Sequence, residues 1–215
     1  MGAGGDKLLL ALRGKEIVAW TVQALDRCDD LDRLVLVASE HNLDRIASVL
    51  DRLPTRLPLE LVLGGSRRQD SVRLALQSLE REPPELVLVH DGARPLVTTE
   101  LVHSCLEAAQ RYGAATCGLP LKDACKEVSE DGFVRRSLER ARLQLIQTPQ
   151  AFRFELLLAA HRFGVEPGAV VDDDAELVEM MGERVMVLAG DPRNIKVTAP
   201  EDLAVLEAHL DRAMA

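Results

Sequence analysis

The fold of this chain is decided by the stretch Leu86-Val87-Leu88-Val89-His90-Asp91-Gly92-Ala93-Arg94-Pro95. Its first four residues are apolar and follow two prolines, so they indicate a short strand buried on both faces of a sheet. The turn after this strand carries a carboxylate at Asp91 and a guanidinium at Arg94. Ligands bind at the carboxyl ends of strands in open α/β sheets. The stretch therefore predicts a central strand with a candidate ligand site at its end.

The two charged side chains of this turn suit phosphate chemistry. Asp91 could hold a divalent cation beside a phosphate, because hard cations prefer oxygen ligands. The planar fork of donors on Arg94 could bind a second phosphate. The alternative is an ordinary strand-to-helix turn in which Asp91 caps a helix. The stretch alone leaves both interpretations open.

Short apolar runs alternate with amphipathic patterns along the rest of the chain. Strand-like runs cover residues 34–38, 59–63, 114–119 and 184–189, and helical patterns cover residues 17–27, 41–53, 68–80, 99–112, 154–163, 172–181 and 200–214. Residues 148–150 indicate a turn, and residues 194–198 indicate a short strand or turn. Such alternation is typical of α/β proteins. It predicts a doubly wound, mostly parallel sheet in a single domain over residues 1–215.

The pattern changes between about residues 121 and 143, which are charged and lack a helix-length apolar stripe. Two short runs, residues 124–128 and 133–138, flank an Asp131-Gly132 turn, which is typical of a β-hairpin. The hairpin contributes little to a core, so we expect an inserted arm. Exposed arms of this kind usually contact a partner, and we therefore predict a symmetric homodimer.

Composition excludes several classes of protein. The 215 residues are 47% hydrophobic and carry a formal net charge of −9, so nucleic acid and anionic membranes are not expected partners. We find neither a signal peptide nor an apolar run long enough to cross a membrane. The four cysteines show no Cys-x-x-Cys spacing. We therefore expect a reduced, cytoplasmic protein without a cysteine-bound metal.

Three further segments accompany the turn at residues 90–95. They are Gly64-Gly65-Ser66-Arg67-Arg68-Gln69-Asp70-Ser71-Val72, Thr148-Pro149-Gln150, and Asn194-Ile195-Lys196-Val197-Thr198 with Pro200-Glu201-Asp202-Leu203. In this order and spacing the four segments resemble the 2-C-methyl-D-erythritol 4-phosphate cytidylyltransferase family over essentially the whole chain. The resemblance implies a Rossmann-like nucleotidyltransferase fold, CTP and methylerythritol phosphate as substrates, Mg²⁺ as cofactor, and dimerisation through the arm.

The resemblance also implies a role for individual residues. Lys7 and Lys196 match two lysines that gather around the α-phosphate, and Arg140 matches an arm arginine that reaches the neighbouring subunit's substrate phosphate. Asp91 matches a residue on the side of the metal. Gly64, Gly65 and Ser71 match the segment that recognises cytosine. Asp91 and Arg94 match residues that contact methylerythritol, and Thr148 matches a residue near the same pocket.

These residue types make physical sense for that reaction. The nucleophile would be a phosphate monoester, which is largely dianionic near neutral pH because its second pKa is about 6. No general base is then required. The obstacle is repulsion between two anions, so catalysis should consist of positioning and charge neutralisation.

Two side chains and the first residues depart from the family pattern. Ser66 stands where an acidic residue is common, and Ala124 stands where a threonine hydroxyl contacts substrate. Family members begin with an apolar strand and a loop of the type Ala-Ala-Gly-x-Gly-x-Arg, which Gly2, Gly4 and Gly5 do not reproduce. We expect either a truncated or mis-started form of an active enzyme, which we favour, or a protein that lacks this strand.

Two alternative functions stay open at this point. Ribitol 5-phosphate or another polyol phosphate could be the acceptor, because the ribitol-5-phosphate cytidylyltransferases share much of the motif set. A catalytically impaired nucleotide-binding protein is the second alternative, since the expected triphosphate loop is absent. Loss of an internal strand would also leave apolar surface and unpaired backbone groups on its neighbours.

Overall fold

The computed structural model describes residues 6–165 and 170–214, so the predictions about Gly2, Gly4 and Gly5 lie outside the described residues. The strands are β1 (Ala11–Leu12), β2 (Lys15–Glu16), β3 (Leu34–Ala38), β4 (Leu59–Leu63), β5 (Leu86–Val89), β6 (Ala114–Pro120), β7 (Cys125–Val128), β8 (Val134–Leu138), β9 (Gln144–Arg153) and β10 (Met186–Ala189). The helices are α1 (Ile17–Asp26), α2 (Leu43–Leu50), α3 (Arg68–Leu79), α4 (Thr99–Tyr112), α5 (Phe154–Val165), α6 (Asp174–Met180) and α7 (Asp202–Met214). Short 3₁₀ helices cover Lys7–Leu9 and Arg140–Arg142.

A four-stranded sheet with the order β10–β6–β9–β5 forms the centre of the fold. Strands β5 and β6 both pair antiparallel with β9, and β10 pairs parallel with β6. Three of the four strands therefore run in one direction. The predicted α/β fold with a mostly parallel sheet is confirmed, with β9 as the reversed strand.

Helices cover both faces of this sheet. The reason is that successive residues of the inner strands point apolar side chains to opposite faces, and each face must be buried. On one face, Cys105 and Ala109 of α4 pack in a cluster with Ala115 and Ala151 of the strands. On the other face, a second cluster joins α5 and α6 to the neighbouring strand positions, and its members include Ala114, Phe152, Leu157, Leu177 and Val178. This arrangement is a doubly wound sheet with buried central strands.

Strands β3 and β4 form a separate parallel pair beside this sheet. Arg33, just before β3, donates a hydrogen bond from its guanidinium to the carbonyl of Glu82, just before β5. At the opposite end, Arg68 opens α3 after β4 and reaches Asp91 after β5. Because both pairs of ends meet, β3, β4 and β5 run in the same direction.

A cavity of about 1030 Å³ lies between β3 and β5. Apolar side chains of both strands line it, and helices α1 and α3 supply further walls through residues such as Val22 and Ala75. Among the described residues, β3 pairs only with β4 and β5 only with β9. The strand edges that face the cavity therefore carry unpaired backbone groups, and the two sheets are joined through helices and end contacts.

The cavity predicts that a larger side chain on its wall will stabilise the protein. Replacing Ala75 by leucine adds three carbon atoms where space exists, so we expect a gain of about 1–2 kcal/mol in the free energy of unfolding. The matched control is Ala109→Leu on α4, where the alanine is fully buried in packed core. Overpacking there should cost about 1–3 kcal/mol. Urea unfolding measures both changes, and equal destabilisation by the two variants would contradict the prediction.

The predicted turn at residues 148–150 is wrong, because these residues lie inside β9. The Thr148–Pro149 peptide bond is cis. Pairing between β6 and β9 shifts register between Ala115 and Cys117, where Thr116 alone lies opposite residues 148–150. A bulge of this kind accommodates a proline that cannot donate to the ladder. Residues 194–198, predicted as a short strand or turn, form no strand.

The arm is a β-hairpin, as predicted, formed by β7 and β8 between β6 and β9. Its apolar side chains are unusually open to solvent, since Phe133 is 72% exposed and Val134 is 60% exposed. Arg140 lies in the short 3₁₀ helix that leads back into the sheet.

Among the described residues, no helix has both the length and the apolar character needed to cross a bilayer.

Candidate active site

Three cations surround the carboxylate of Asp91 at the carboxyl end of β5. Lys196 Nζ lies 2.9 Å from Oδ2, Arg94 Nε lies 3.3 Å from the same oxygen, and Arg68 Nε lies 3.4 Å from Oδ1. Burial alone would raise the pKa of Asp91, but the charge and hydrogen bond of Lys196, with the charges of Arg68 and Arg94, lower it to about 2. We call these four residues the Asp91 cluster.

The turn that carries Asp91 is held by a chain of hydrogen bonds through Thr148 and His90. The backbone N–H of Asp91 donates to Thr148 Oγ1 at 3.0 Å, and Thr148 Oγ1 lies 3.1 Å from His90 Nδ1. His90 Nε2 lies 3.2 Å from the carbonyl of Arg94, so Nε2 carries the proton and Nδ1 accepts. Burial lowers the pKa of His90 to about 4. The imidazole is therefore neutral at pH 7 and fixes the turn without adding charge.

Hydrogen bonds attach the segment around Lys196 to this turn and to β9. Arg94, only 9% exposed, donates from Nη1 to the carbonyl of Asn194 at 2.8 Å. Asn194 Nδ2 in turn donates to the carbonyl of Thr148 at 2.7 Å. The backbone N–H of Val197 donates to the carbonyl of Ala93 at 2.8 Å. Lys196 therefore projects from a fixed loop rather than from a free surface strand.

The glycine segment at residues 64–71 lies at the start of α3, where the predicted cytosine-binding residues come together. Ser71 Oγ accepts from the N–H of Gly65 at 3.2 Å and donates to the carbonyl of Arg67 at 3.0 Å. A side-chain carbon at Gly64 would lie 2.7 Å from Ser71 Oγ. A larger residue at this position would therefore force Ser71 to move, whatever the ligand is. Recognition of cytosine by these residues stays a prediction.

The structure brings some predicted site residues together and leaves others apart. Asp91, Arg94, Thr148 and Lys196 form one connected site. Lys7 is exposed, and its neighbour Leu8 lines the same cavity as Asp91 and Gly92. Arg140 does not reach the Asp91 cluster among the described residues, and its Nη1 donates to the carbonyl of Lys122 within the arm at 2.6 Å.

Reasoning from sequence missed three members of this site: Arg68, His90 and Asn194. Each lies inside a segment that carried the family resemblance, but none received a role. Arg68 was one of two adjacent arginines, and only the fold shows that Arg67 pairs with Asp70 while Arg68 turns inward. Asn194 is fully buried, which a polar residue in an irregular segment does not reveal.

Asp91 is the residue of this site whose chemistry suits Mg²⁺. The described residues contain no group of three His, Cys, Asp or Glu side chains that could hold a metal ion. Asp91 is an ionised oxygen donor, but three cations already lie against it. Mg²⁺ in phosphoryl-transfer enzymes typically uses one or two carboxylates with substrate phosphates. Asp91 fits that single-carboxylate role and does not fit a resident cation cage.

Fold and site together define a class of protein. The cationic Asp91 cluster lies at the carboxyl ends of strands in a doubly wound sheet, where such folds bind their ligands. Arginine and lysine at this position suit phosphate groups. These features define an α/β enzyme that acts on phosphorylated substrates.

Comparison with known proteins narrows this class to the nucleotidyltransferases. The profile of the 2-C-methyl-D-erythritol 4-phosphate cytidylyltransferase family matches residues 1–212. A protein of that name from Bacillus mycoides is 41% identical over 210 residues, which cover 98% of this chain and 92% of the relative. One from Nostoc sp. is 40% identical over 207 residues, covering 96% and 90%. The chain belongs to the 2-C-methyl-D-erythritol 4-phosphate cytidylyltransferase family.

Solved structures support the same conclusion. The crystal structure of 4-diphosphocytidyl-2C-methyl-D-erythritol synthase from Anaerococcus prevotii is 30% identical, with a TM-score of 0.88, and the match covers 98% of this chain and 92% of that one. The 2-C-methyl-D-erythritol 4-phosphate cytidylyltransferase from Thermus thermophilus is 35% identical, with a TM-score of 0.78 and coverage of 97% and 95%. The fold is therefore that of the family.

Proposed function

We propose that this chain transfers CMP from CTP to 2-C-methyl-D-erythritol 4-phosphate, with release of pyrophosphate, in non-mevalonate isoprenoid biosynthesis. The observation that carries the proposal is the Asp91 cluster in a chain of this family. Ribitol 5-phosphate is not favoured as acceptor, because the matching family and the relatives described above are named for methylerythritol phosphate.

The reaction forms one P–O bond and breaks another. A phosphate oxygen of the acceptor attacks the α-phosphorus of CTP, and the bond to the bridging oxygen of pyrophosphate breaks, so the electron pair leaves with pyrophosphate. No proton must be moved, because the attacking phosphate is already anionic. Lys196, with the exposed Lys7, lowers the repulsion between the reacting anions and neutralises charge in the transition state.

The acceptor is held at the turn after β5. Arg94 is fixed by its bonds to Asp91 and Asn194, so its guanidinium loses little freedom when it meets an anion. Thr148 supports the same turn from β9. On the nucleotide side, Gly64, Gly65 and Ser71 present backbone groups at the start of α3, which suit the amide-like edge of cytosine.

Mg²⁺ enters the proposal as a cofactor that arrives with CTP. When bound, it would neutralise and polarise phosphate oxygens. Asp91 is the protein residue that we expect to face it, since no cluster of acidic or histidine ligands exists among the described residues.

The four free cysteines, of which three are buried, fit a reducing compartment, and we propose a cytoplasmic location on that basis.

A direct assay tests the proposed function. The purified chain with CTP, Mg²⁺ and 2-C-methyl-D-erythritol 4-phosphate should release pyrophosphate, and ribitol 5-phosphate should be a much poorer acceptor. Calorimetry with CTP and Mg²⁺ measures nucleotide binding separately from turnover, so a catalytically impaired nucleotide-binding protein would bind CTP but release no pyrophosphate. Binding without turnover for any polyol phosphate would contradict the proposed transferase.

We also propose a homodimer in which each arm serves the partner's site. The exposed apolar side chains of the hairpin, Phe133 and Val134 among them, supply a surface that a second copy could cover. Arg140 is the residue we expect to reach the partner's substrate phosphate, because it lies on the arm and away from the Asp91 cluster of its own chain.

Complementation between two inactive variants tests this arrangement. Arg140→Ala and Lys196→Ala should each be nearly inactive alone. If the arm acts on the partner, a mixed dimer contains one site with both residues intact. A random equal mixture holds half mixed dimers, so about a quarter of the wild-type specific activity should return.

An arm that serves only its own subunit predicts no recovery, because neither chain of the mixed dimer then has both residues. Arg136→Ala is the matched control, since Arg136 lies on the same arm and pairs with Glu127 at the surface. It should stay near wild-type activity throughout.

A further inference from the structure

A buried charge network extends from the Asp91 cluster to helices α5 and α6. Asp174, the first residue of α6, is 1% exposed. Its Oδ2 lies 2.8 Å from Arg68 Nη1, and its Oδ1 lies 3.0 Å from Nε2 of His161 on α5. Arg68 therefore contacts Asp174 with one nitrogen and Asp91 with another. The two carboxylates share a single guanidinium.

The surroundings of Asp174 hold it in one place. Its backbone N–H donates to Gln150 Oε1 at 3.2 Å, and Gln150 Nε2 donates to Thr116 Oγ1 at 3.1 Å. Gln150 and His161 are almost completely buried as well. A carboxylate fixed by buried partners is a rigid anchor for the guanidinium that reaches it.

The anchor matters because Arg68 is the sole cation on one oxygen of Asp91 among the described residues. Arg94 and Lys196 both contact Oδ2, while Arg68 contacts Oδ1. Burial opposes the charge of Arg68, yet Asp174 and Asp91 raise the pKa of Arg68 above its usual value. The orientation of the Asp91 carboxylate thus depends on a guanidinium whose own position is set by Asp174.

We propose that Asp174 is a positioning residue, which acts through Arg68 to orient Asp91 in the acceptor site. Asp174 itself does not line the cavity that Arg68 and Asp91 line. Arg68 also opens α3, directly after the glycine segment expected to hold cytosine. The network therefore ties the start of the nucleotide-binding segment to the turn that holds the acceptor. The kinetic consequences rest on the proposed function.

Asp174→Asn tests the proposal with little change of shape. Loss of the carboxylate should release Arg68 from its anchor. We expect kcat/KM for 2-C-methyl-D-erythritol 4-phosphate to fall about 10- to 100-fold, by analogy with the loss that follows when hydrogen-bonding partners of metal ligands are replaced. The KM for CTP should change less than about threefold, because the backbone groups of the glycine segment stay in place.

Arg68→Lys is the second variant, and it keeps a positive charge on a partly exposed residue. An ammonium cannot contact both carboxylates as a planar fork does. The double variant, Asp174→Asn with Arg68→Lys, should have a kcat/KM no lower than that of the less active single variant. The reason is that both substitutions remove the same contact between Asp174 and Arg68. Factors that multiply would show that Asp174 acts independently of Arg68 and would overturn the proposal.

Glu80→Gln is the matched control. Glu80 directly follows α3 and pairs with Arg162 of α5 at 2.9 Å, so it also joins the regions of α3 and α5, but at the surface. Its removal should leave both substrates' KM values unchanged. An equal effect of Glu80→Gln and Asp174→Asn would indicate a general loosening of the helices and would overturn a positioning role.

A crystal structure of Asp174→Asn gives a readout that does not depend on turnover. The contact between Arg68 Nε and Asp91 Oδ1 should be lost or lengthened, and its retention would overturn the proposal. Absence of turnover in the wild-type chain would instead count against the proposed function. The two failures are therefore distinguishable.

Discussion

Replacing Lys196 by alanine is expected to lower kcat/KM for CTP and 2-C-methyl-D-erythritol 4-phosphate about 100- to 1000-fold, the loss typical when one preorganised charge is removed from a transition state. Lys196 Nζ lies 2.9 Å from Asp91 Oδ2, at the point where two anionic substrates would meet. The side chain is 36% exposed and its loop is held by Asn194 and Val197. The fold should therefore survive, with a melting temperature within a few degrees of wild type.

Steady-state kinetics with each substrate varied in turn measures this loss. Lys15→Ala is a suitable control, because Lys15 is also a paired lysine, bonded to Gln23 and stacked on Trp20. That variant should keep its kinetic constants. Turnover of Lys196→Ala within a factor of three of wild type would remove Lys196 from the catalytic residues.

Asp91→Asn is expected to destabilise the protein by about 2 kcal/mol at pH 7 and to do so less at acid pH. The pKa of Asp91 in the folded protein is about 2, against 3.8 ordinarily. A group whose pKa falls on folding stabilises the folded state above its unfolded pKa, and that contribution is lost as pH falls through the folded value. The difference between wild type and variant should therefore shrink between pH 5 and pH 3, to about half its neutral value at pH 3.

Urea unfolding of the metal-free protein at several pH values measures this effect. Asp29→Asn serves as the control, because the Asp29 side chain is 94% exposed in its pair with Arg56, and exposed pairs contribute little. A difference between Asp91→Asn and wild type that stays constant from pH 7 to pH 3 would show that ionisation of Asp91 does not stabilise the fold.

Much of the architecture was predictable because it depends on local patterns. Leu86–Val89 and Leu34–Ala38 are strands with the predicted bounds, since continuous apolar runs of this length are typical of buried strands. Thr98 caps α4, with its side chain accepting from the N–H of Leu101. A polar residue before an amphipathic run is a local signal that survives in the folded chain.

Local sequence patterns gave a wrong or incomplete prediction where a residue distant in the sequence determines the conformation or environment of a side chain. Pro149 suggested a turn, but a bulge opposite Thr116 lets it lie within a strand. Within the run Asp172-Asp173-Asp174, Asp173 caps α6 by accepting from the N–H of Glu176. Asp174, one residue later, is a buried anchor for Arg68. The packing of α6 therefore leaves Asp173 partly exposed and buries Asp174, although the two are adjacent aspartates.

The sequence by itself determined the α/β rhythm, the inserted hairpin and the family, because periodicity and ordered motifs are properties of neighbours along the chain. Tertiary structure alone decided that Arg68, His90 and Asn194 join Asp91, and that a cavity separates β3 from β5. These features arise from contacts between residues up to 100 positions apart, such as Arg94 and Asn194. Their physical basis is charge pairing and burial, which depend on distance in space and leave no pattern in a short stretch of sequence.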